Sequence, residues 1–312
     1  MAPPAPPSAP HGRPEVYAPR RASVGSGEVA RSLPQRARRT VGHWCFVDLF
    51  TPGVGTAAST GMGVGPHPHC GLHTVTWLTS GAVHHTDSLG SSQPVEPGQL
   101  NLMTAGAGIT HAEAAVPGSD PVFGAQLWLA QPDATRHGPP RFAHHADLPQ
   151  LAVGPGLDAT VAVGSVGDVA SPAEVDTDAL CLSITSTGGG SGALELAPSR
   201  EHAVVVLDGH AALAGAWPDG DEPLAPGALA VLDPGHGEVD LRVGPDTTLL
   251  VLGGEPTTER LVMWWNFVVR STDEAHEASE AWNGGDARFG PQPPSPDPRQ
   301  TAPLPPGRRP AG

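Results

Sequence analysis

The chain of 312 residues is long enough for two moderate domains around a buried core, and its net charge is −15 with no lysine at all. That acidic body excludes a dedicated DNA-binding domain, and no apolar run approaches the roughly 18 residues of a membrane span. Three widely spaced cysteines, Cys45, Cys70 and Cys181, form no CxxC pattern, which excludes a disulfide framework or zinc knuckle and makes a reducing cytoplasm the expected compartment.

The chain opens on a proline-rich stretch, residues 1–14, too poor in apolar surface to offset its ordering entropy and expected to be a disordered tail. Seven of the 17 arginines then fall before residue 40, a basic segment expected to be solvated or paired with acidic surface. Val41–Phe50 reads as a buried strand. Next comes His67-Pro68-His69, and farther on His111-Ala112-Glu113. Each segment sets two metal-type ligands two residues apart, and in a strand residues i and i+2 project from one face. If the segments meet, three imidazoles and a carboxylate with positions left for water suit an open non-haem iron or other divalent transition-metal site. Cys70, beside His69, should face the other way as a small buried residue, and His73 should share the ligand face as a cavity-wall or supporting group unless the Cys70–Gly71 step bulges.

His73–Thr79 alternates as a half-buried strand, whereas the adjacent pairs His84–His85 and His144–His145 are expected to be exposed. Val122–Ala130 reads as a further strand. A second copy of the pattern begins 129 residues on. His73–Thr79 falls on His202–Asp208, and Val95–Gly106 falls on Leu224–Gly235, both reading apolar-x-Pro-Gly-x-Leu-x-apolar-apolar-x-x-Gly. At that offset His67, His69, His111 and Glu113 meet Leu196, Pro198, Asp240 and Arg242, so the second copy keeps strands and turns but loses the ligands. Late in the chain Leu261–Val269 is apolar, with Trp264 and Trp265 as core or interface aromatics. Ser271–Trp282 carries a capping box (Ser271, Glu274) and reads as the one helix. Residues 283–312 form a second expected disordered proline-rich tail.

Gly61-x5-His67-x-His69, followed by Pro97-Gly98 and Gly106-x-Gly108-x2-His111, resembles the two cupin motifs. The longer stretches His67-Pro-His-x-Gly-Leu-x-Thr-Val-Thr-Trp-Leu, Asp87-Ser-Leu-Gly and Asn101-Leu-Met-Thr-Ala-Gly-x-Gly-Ile-x-His-x-Glu113 resemble the pirin family of bicupins. So do Arg38-Arg-Thr-Val-Gly-x-Trp-Cys-Phe, Gln126-Leu-Trp-Leu-Ala and Met263-Trp-Trp-Asn-Phe-Val, giving a likeness over roughly residues 20–282. The resemblance implies an all-β fold of two tandem cupin (jelly-roll or β-barrel) domains: an N-terminal metal-binding unit at 15–150, and a degenerate C-terminal unit at 151–282 whose helix packs across the seam. It implies iron, with other divalent transition metals accepted, held by His67, His69, His111 and Glu113, with Glu113 also placed to take a substrate proton. Two activities follow from it: quercetin 2,3-dioxygenase-type opening of a flavonol-like substrate, or non-enzymatic, iron-responsive binding of a transcription factor or metabolic enzyme. No membrane or nucleic-acid partner is implied. Two residues depart from the family pattern: His73 stands where cupins place a first-motif glutamate, and Ala107 where many relatives carry arginine.

Overall fold

In the computed structural model, which describes residues 12–24, 27–50, 63–215 and 223–306, the described residues are mostly strands with one α-helix. Residues 1–11 of the expected N-terminal tail and Gly61 of the first motif lie outside the described residues. No helix among the described residues is long and apolar enough to cross a membrane.

Two antiparallel sheets build the N-terminal barrel. One has seven strands, running from Arg141–His145 through Leu100–Thr104, Leu72–Ser80, Phe123–Ala130, Trp44–Phe50 and Gly27–Leu33 to Arg20–Val24. The other has four, in the order Gly63–His69, Ile109–Ala115, Val83–Asp87 and Ser92–Val95. The middle strands of the seven-stranded sheet are covered on both faces, so they read as continuous buried runs rather than half-buried alternation. Along Trp44–Phe50, Val47 and Leu49 join the core shared with the second barrel, while Phe46, Asp48 and Phe50 line a cavity inside the first. The predicted strand at Val41 starts at Trp44 instead, because Gly42 turns the chain at φ +52 where a Cβ would lie 2.8 Å from the Gly254 backbone.

The C-terminal barrel is a nine-stranded sheet whose two longest members, Leu180–Glu195 and Glu238–Gly254, run antiparallel along their whole length. Its interior holds Leu194, Val239, Leu241 and Val243 among other aliphatic side chains. The 129-residue offset therefore slips locally: Asp240 and Arg242 point outward, and aliphatics occupy the inner face in place of ligands. Among the described residues, the inner face of this copy carries aliphatic side chains in a register shifted from the one the offset gives. Also in this barrel, His202 is buried, and that burial, followed by repulsion from Arg200, pushes its pKa down to about 4. Between its unfolded value of 6.5 and about 4, the unfolded chain takes up a proton that the folded chain refuses. This part of the stability is complete above pH 6.5 and falls as the pH drops towards 4. His202→Met is expected to shrink the loss of Tm of the apo-protein between pH 7 and pH 5, measured by calorimetry; an unchanged loss contradicts the assignment.

The two barrels share one core, in which Trp44, Leu49 and Leu127 meet Cys181, Val205 and Leu250. The Trp44 indole donates to Leu180 O at 3.1 Å and Gly253 O at 3.2 Å. Of the arginine-rich entry segment, Arg38 is tied in here, pairing with Glu201 at 3.1 Å and Asp233 at 2.7 Å, while Arg13, Arg20, Arg21, Arg36 and Arg39 are exposed. The expected boundary at residue 15 needs correction, since Glu15–Tyr17 pairs with Leu229–Leu232 and extends the C-terminal sheet.

The helix runs Thr272–Gly284, with Ser271 as N-cap accepting from Glu274 N and Gly285 closing it in the left-handed region. It does not pack across the seam. Ala275, Ala278 and Trp282 sit on Phe267, Cys70 and Phe289, returning the chain to the N-terminal barrel. The expected tail from 283 is likewise corrected as far as residue 306. Phe289 and Ala302 are buried, and Trp282 Nε1 donates to Gln300 O, Trp264 Nε1 to Pro303 O and Gln300 N to Pro66 O. A proline-rich segment has few N–H groups to satisfy, so a strap whose carbonyls accept from tryptophans is stable without regular structure.

Candidate metal centre

Register brings the two ligand segments together. Ile109–Ala115 pairs with Gly63–His69 so that His111 lies opposite His67 and Ile109 opposite His69, with an irregularity before Glu113 meets Val64. The Nε2 atoms of His69 and His111 lie 3.0 Å apart, and one nitrogen from each of His67, His69 and His111 falls within 4.8 Å of the others. Two of the rings are held from behind: His67 Nδ1 meets Gly65 O at 2.9 Å, and His69 Nδ1 meets Asn266 O at 3.0 Å. Each Nδ1 thus carries its proton outward, leaving the Nε2 lone pair for the cluster. Burial pushes His67 down to about 4. Burial and the neighbouring imidazoles hold His69 and His111 well below the ordinary histidine range, so at neutral pH all three are uncharged donors. Three converging lone pairs with no proton between them fit a transition-metal ion.

Glu113 enters differently from its expected place. It groups with His85 and His111 rather than within 4.8 Å of all three imidazoles. Its carboxyl is buried, and that burial raises its pKa against the opposing pull of His85 and the Thr76 hydroxyl, which donates to it at 3.3 Å. Thr76 also contacts Gln126 at 3.0 Å, and a polar row continues across the sheet to Asp48, which Arg31 grips through two nitrogens at 2.7 and 2.6 Å.

Several histidines depart from their expected places. His73 leaves the ligand face because the chain turns at Gly71 (φ +72), where Val268 O approaches so closely that a Cβ would lie 2.1 Å from it. On the next strand the odd positions face the inter-barrel side, and His73 Nδ1 meets Thr104 Oγ1 at 2.9 Å with Nε2 3.3 Å from Asp176. His85, expected to be exposed, is buried on the inner face opposite Glu113, while its neighbour His84 points to Ser92. The missed signal is His85-Thr86-Asp87, which has the same i, i+2 spacing as the two ligand pairs. His144 and His145 are half-buried rather than exposed, and His144 Nδ1 meets Asn101 Oδ1 at 2.8 Å.

Beside the cluster lies a cavity of about 470 Å³. Trp128, edge-on to His69 with centroids 5.1 Å apart and stacked on Phe46, forms one wall. The opposite end of the chain supplies another: Met263, Trp265 and Asn266 of the hairpin Val262–Val269, together with Gln300 of the strap. Trp265 is not simply a core aromatic. It holds a left-handed φ of 50, a costly conformation that aims the Asn266 carbonyl at His69.

The Pirin family profile matches residues 26–129, and the Pirin C-terminal cupin domain profile matches residues 181–290. A Pseudomonas aeruginosa protein named "Putative quercetin 2,3-dioxygenase" is 39% identical over 277 residues, covering 87% of this chain and 84% of that one. A "Pirin-like protein" of Caulobacter vibrioides is 34% identical over 281 residues, covering 86% and 93%. The crystal structure of quercetin 2,3-dioxygenase from Acinetobacter baumannii superposes with a TM-score of 0.87 at 38% identity, covering 95% of this chain and 97% of that one. With two cupin barrels, the cluster in the first and aliphatics in the second, this chain belongs to the pirin family.

Proposed function

We propose that the protein is a mononuclear iron oxygenase of the quercetin 2,3-dioxygenase type, acting on a flavonol-like substrate in the cytoplasm. The observation that carries this reading is the juxtaposition of three uncharged imidazoles with a cavity of about 470 Å³, large enough for a flat three-ring molecule. His67, His69 and His111 would hold the metal through nitrogen, with Glu113 as the carboxylate partner; the similarity to proteins named for this activity supports the assignment. When bound, the metal supplies a Lewis acid for the substrate's oxygens and a redox partner for dioxygen.

The chain's own groups divide the remaining work. Gly65 O and Asn266 O fix the ring orientation of His67 and His69. Glu113, with its pKa raised by burial, is suited to accept the proton of a flavonol hydroxyl at its carboxylate oxygen while Thr76 orients it. Trp128, Met263 and Trp265 exclude water from an aromatic substrate along the cavity walls. Oxygen uptake by the iron-loaded protein with a flavonol, against an apo control, tests the reading: consumption above the control is expected. Its absence in iron-replete protein would instead favour an iron-responsive regulator that binds a protein partner.

A further inference from the structure

The four-stranded sheet carries more on its inner face than the proposed ligands use. Val83–Asp87 lies next to Ile109–Ala115 with His85 opposite Glu113 and Asp87 opposite His111. His111 Nδ1 and His85 Nδ1 are 3.4 Å apart, and His85 Nε2 is 3.0 Å from Asp87 Oδ2. The other Asp87 oxygen accepts from Leu89 N at 2.9 Å and Ser91 N at 3.0 Å. Phe142 stacks on the His85 ring at 4.4 Å and 12°, fixing its plane.

With a neutral His85 these contacts have one consistent assignment of protons. Asp87 is a carboxylate and only accepts, so His85 donates to it through Nε2–H and keeps an acceptor lone pair on Nδ1. His111 then donates Nδ1–H to that lone pair and presents Nε2 to His69, 3.0 Å away. His67 and His69 take the same orientation from backbone carbonyls, but His111 has no carbonyl acceptor at its Nδ1 among its described hydrogen bonds. We propose that His85, held by Asp87, is the positioning residue that locks His111 as an Nε2 donor to the metal. This rests on the metal-centre reading above. A metal ligand's outward N–H paired to a carboxylate, directly or through a relay, raises the ligand's basicity as well as fixing its tautomer.

Asp87→Asn supplies an isosteric test. The amide oxygen stays with Leu89 N and Ser91 N, which turns the amide NH2 towards His85 Nε2. His85 must then accept there and carry its proton on Nδ1, so two N–H groups face each other across the contact with His111. The probe is cobalt(II) titrated into apo-protein, read by its visible ligand-field spectrum and by competition with a chelator. Tight wild-type binding establishes the centre, and its failure sinks the metal reading itself rather than this inference. Given wild-type binding, Asp87→Asn is expected to bind cobalt about 10- to 100-fold more weakly, with a shifted spectrum. Adding Asp87→Asn to His85→Leu should cost nothing further, because the relay is already cut. His85→Gln, whose side-chain oxygen can accept from His111, should recover most of the affinity that His85→Leu loses, and it carries the test if Asp87→Asn fails to fold. Wild-type affinity and spectrum in Asp87→Asn, additive losses in the double variant, or no recovery in His85→Gln would each overturn the proposal.

Discussion

His67→Ala is expected to retain less than about a tenth of the wild-type metal, because loss of a direct ligand should exceed the 10- to 100-fold cost typical of removing a supporting partner. His67 lies opposite His111 in the ladder, and its ring centroid is 4.3 Å from that of His111 and 5.0 Å from that of His69. Removing it leaves two imidazoles and a carboxylate that belongs to an overlapping group rather than to the same 4.8 Å cluster. His73→Ala is the matched control. Its imidazole is buried too, but it meets Thr104 and Asp176 away from the cavity, so its removal should leave metal content unchanged even if stability falls. Elemental analysis of both variants after anaerobic purification separates the cases, and full metal retention in His67→Ala would refute the ligand assignment.

Trp44→Ala is expected to cost about 4 kcal/mol of folding stability, the middle of the range for removing a large buried aromatic. Trp44 has no exposed surface, sits in the core shared by both barrels, and hydrogen-bonds to Leu180 O and Gly253 O of the C-terminal sheet. Its loss opens a cavity at the contact and leaves two buried carbonyls without the indole. Trp44→Phe keeps most of the volume and should cost only about 1–2 kcal/mol, chiefly the lost hydrogen bonds. Denaturant unfolding measures both. A Trp44→Ala loss within about 1 kcal/mol would mean that the barrels are stabilised independently.

The parts of the site legible in the sequence are those fixed by local periodicity. His67 with His69, and His111 with Glu113, share strand faces because the i, i+2 rule is a property of one strand. The duplication pointed to the barrel whose inner face carries aliphatic side chains, because its turns repeat at a fixed distance. What was lost depended on which strand lies beside which. His85-Thr86-Asp87 has the same spacing as the ligand pairs, but only the register with Ile109–Ala115 puts it at the centre. His73 keeps the parity of His69 in sequence, yet one turn at Gly71 moves it to another sheet with its odd positions reversed. The 129-residue offset matched turns faithfully and still missed the inner face by a local slip, because side-chain period 2 makes a one-residue shift exchange inside for outside. The hairpin Val262–Val269 and the strap to residue 306 carry no ligand signal of their own. Their contribution is a carbonyl at His69 and a cavity wall, both made by chain returning from more than a hundred residues away. Proline content suggested a tail because composition alone does not show that tryptophan N–H groups wait for its carbonyls.

A metal centre is expected in the N-terminal barrel and none in the C-terminal barrel. Anomalous diffraction from crystals of anaerobically purified protein, collected above and below the iron edge, locates the metal directly. A single peak per chain among His67, His69 and His111 is predicted. No peak in metal-replete protein, or a peak in the C-terminal barrel, would contradict it.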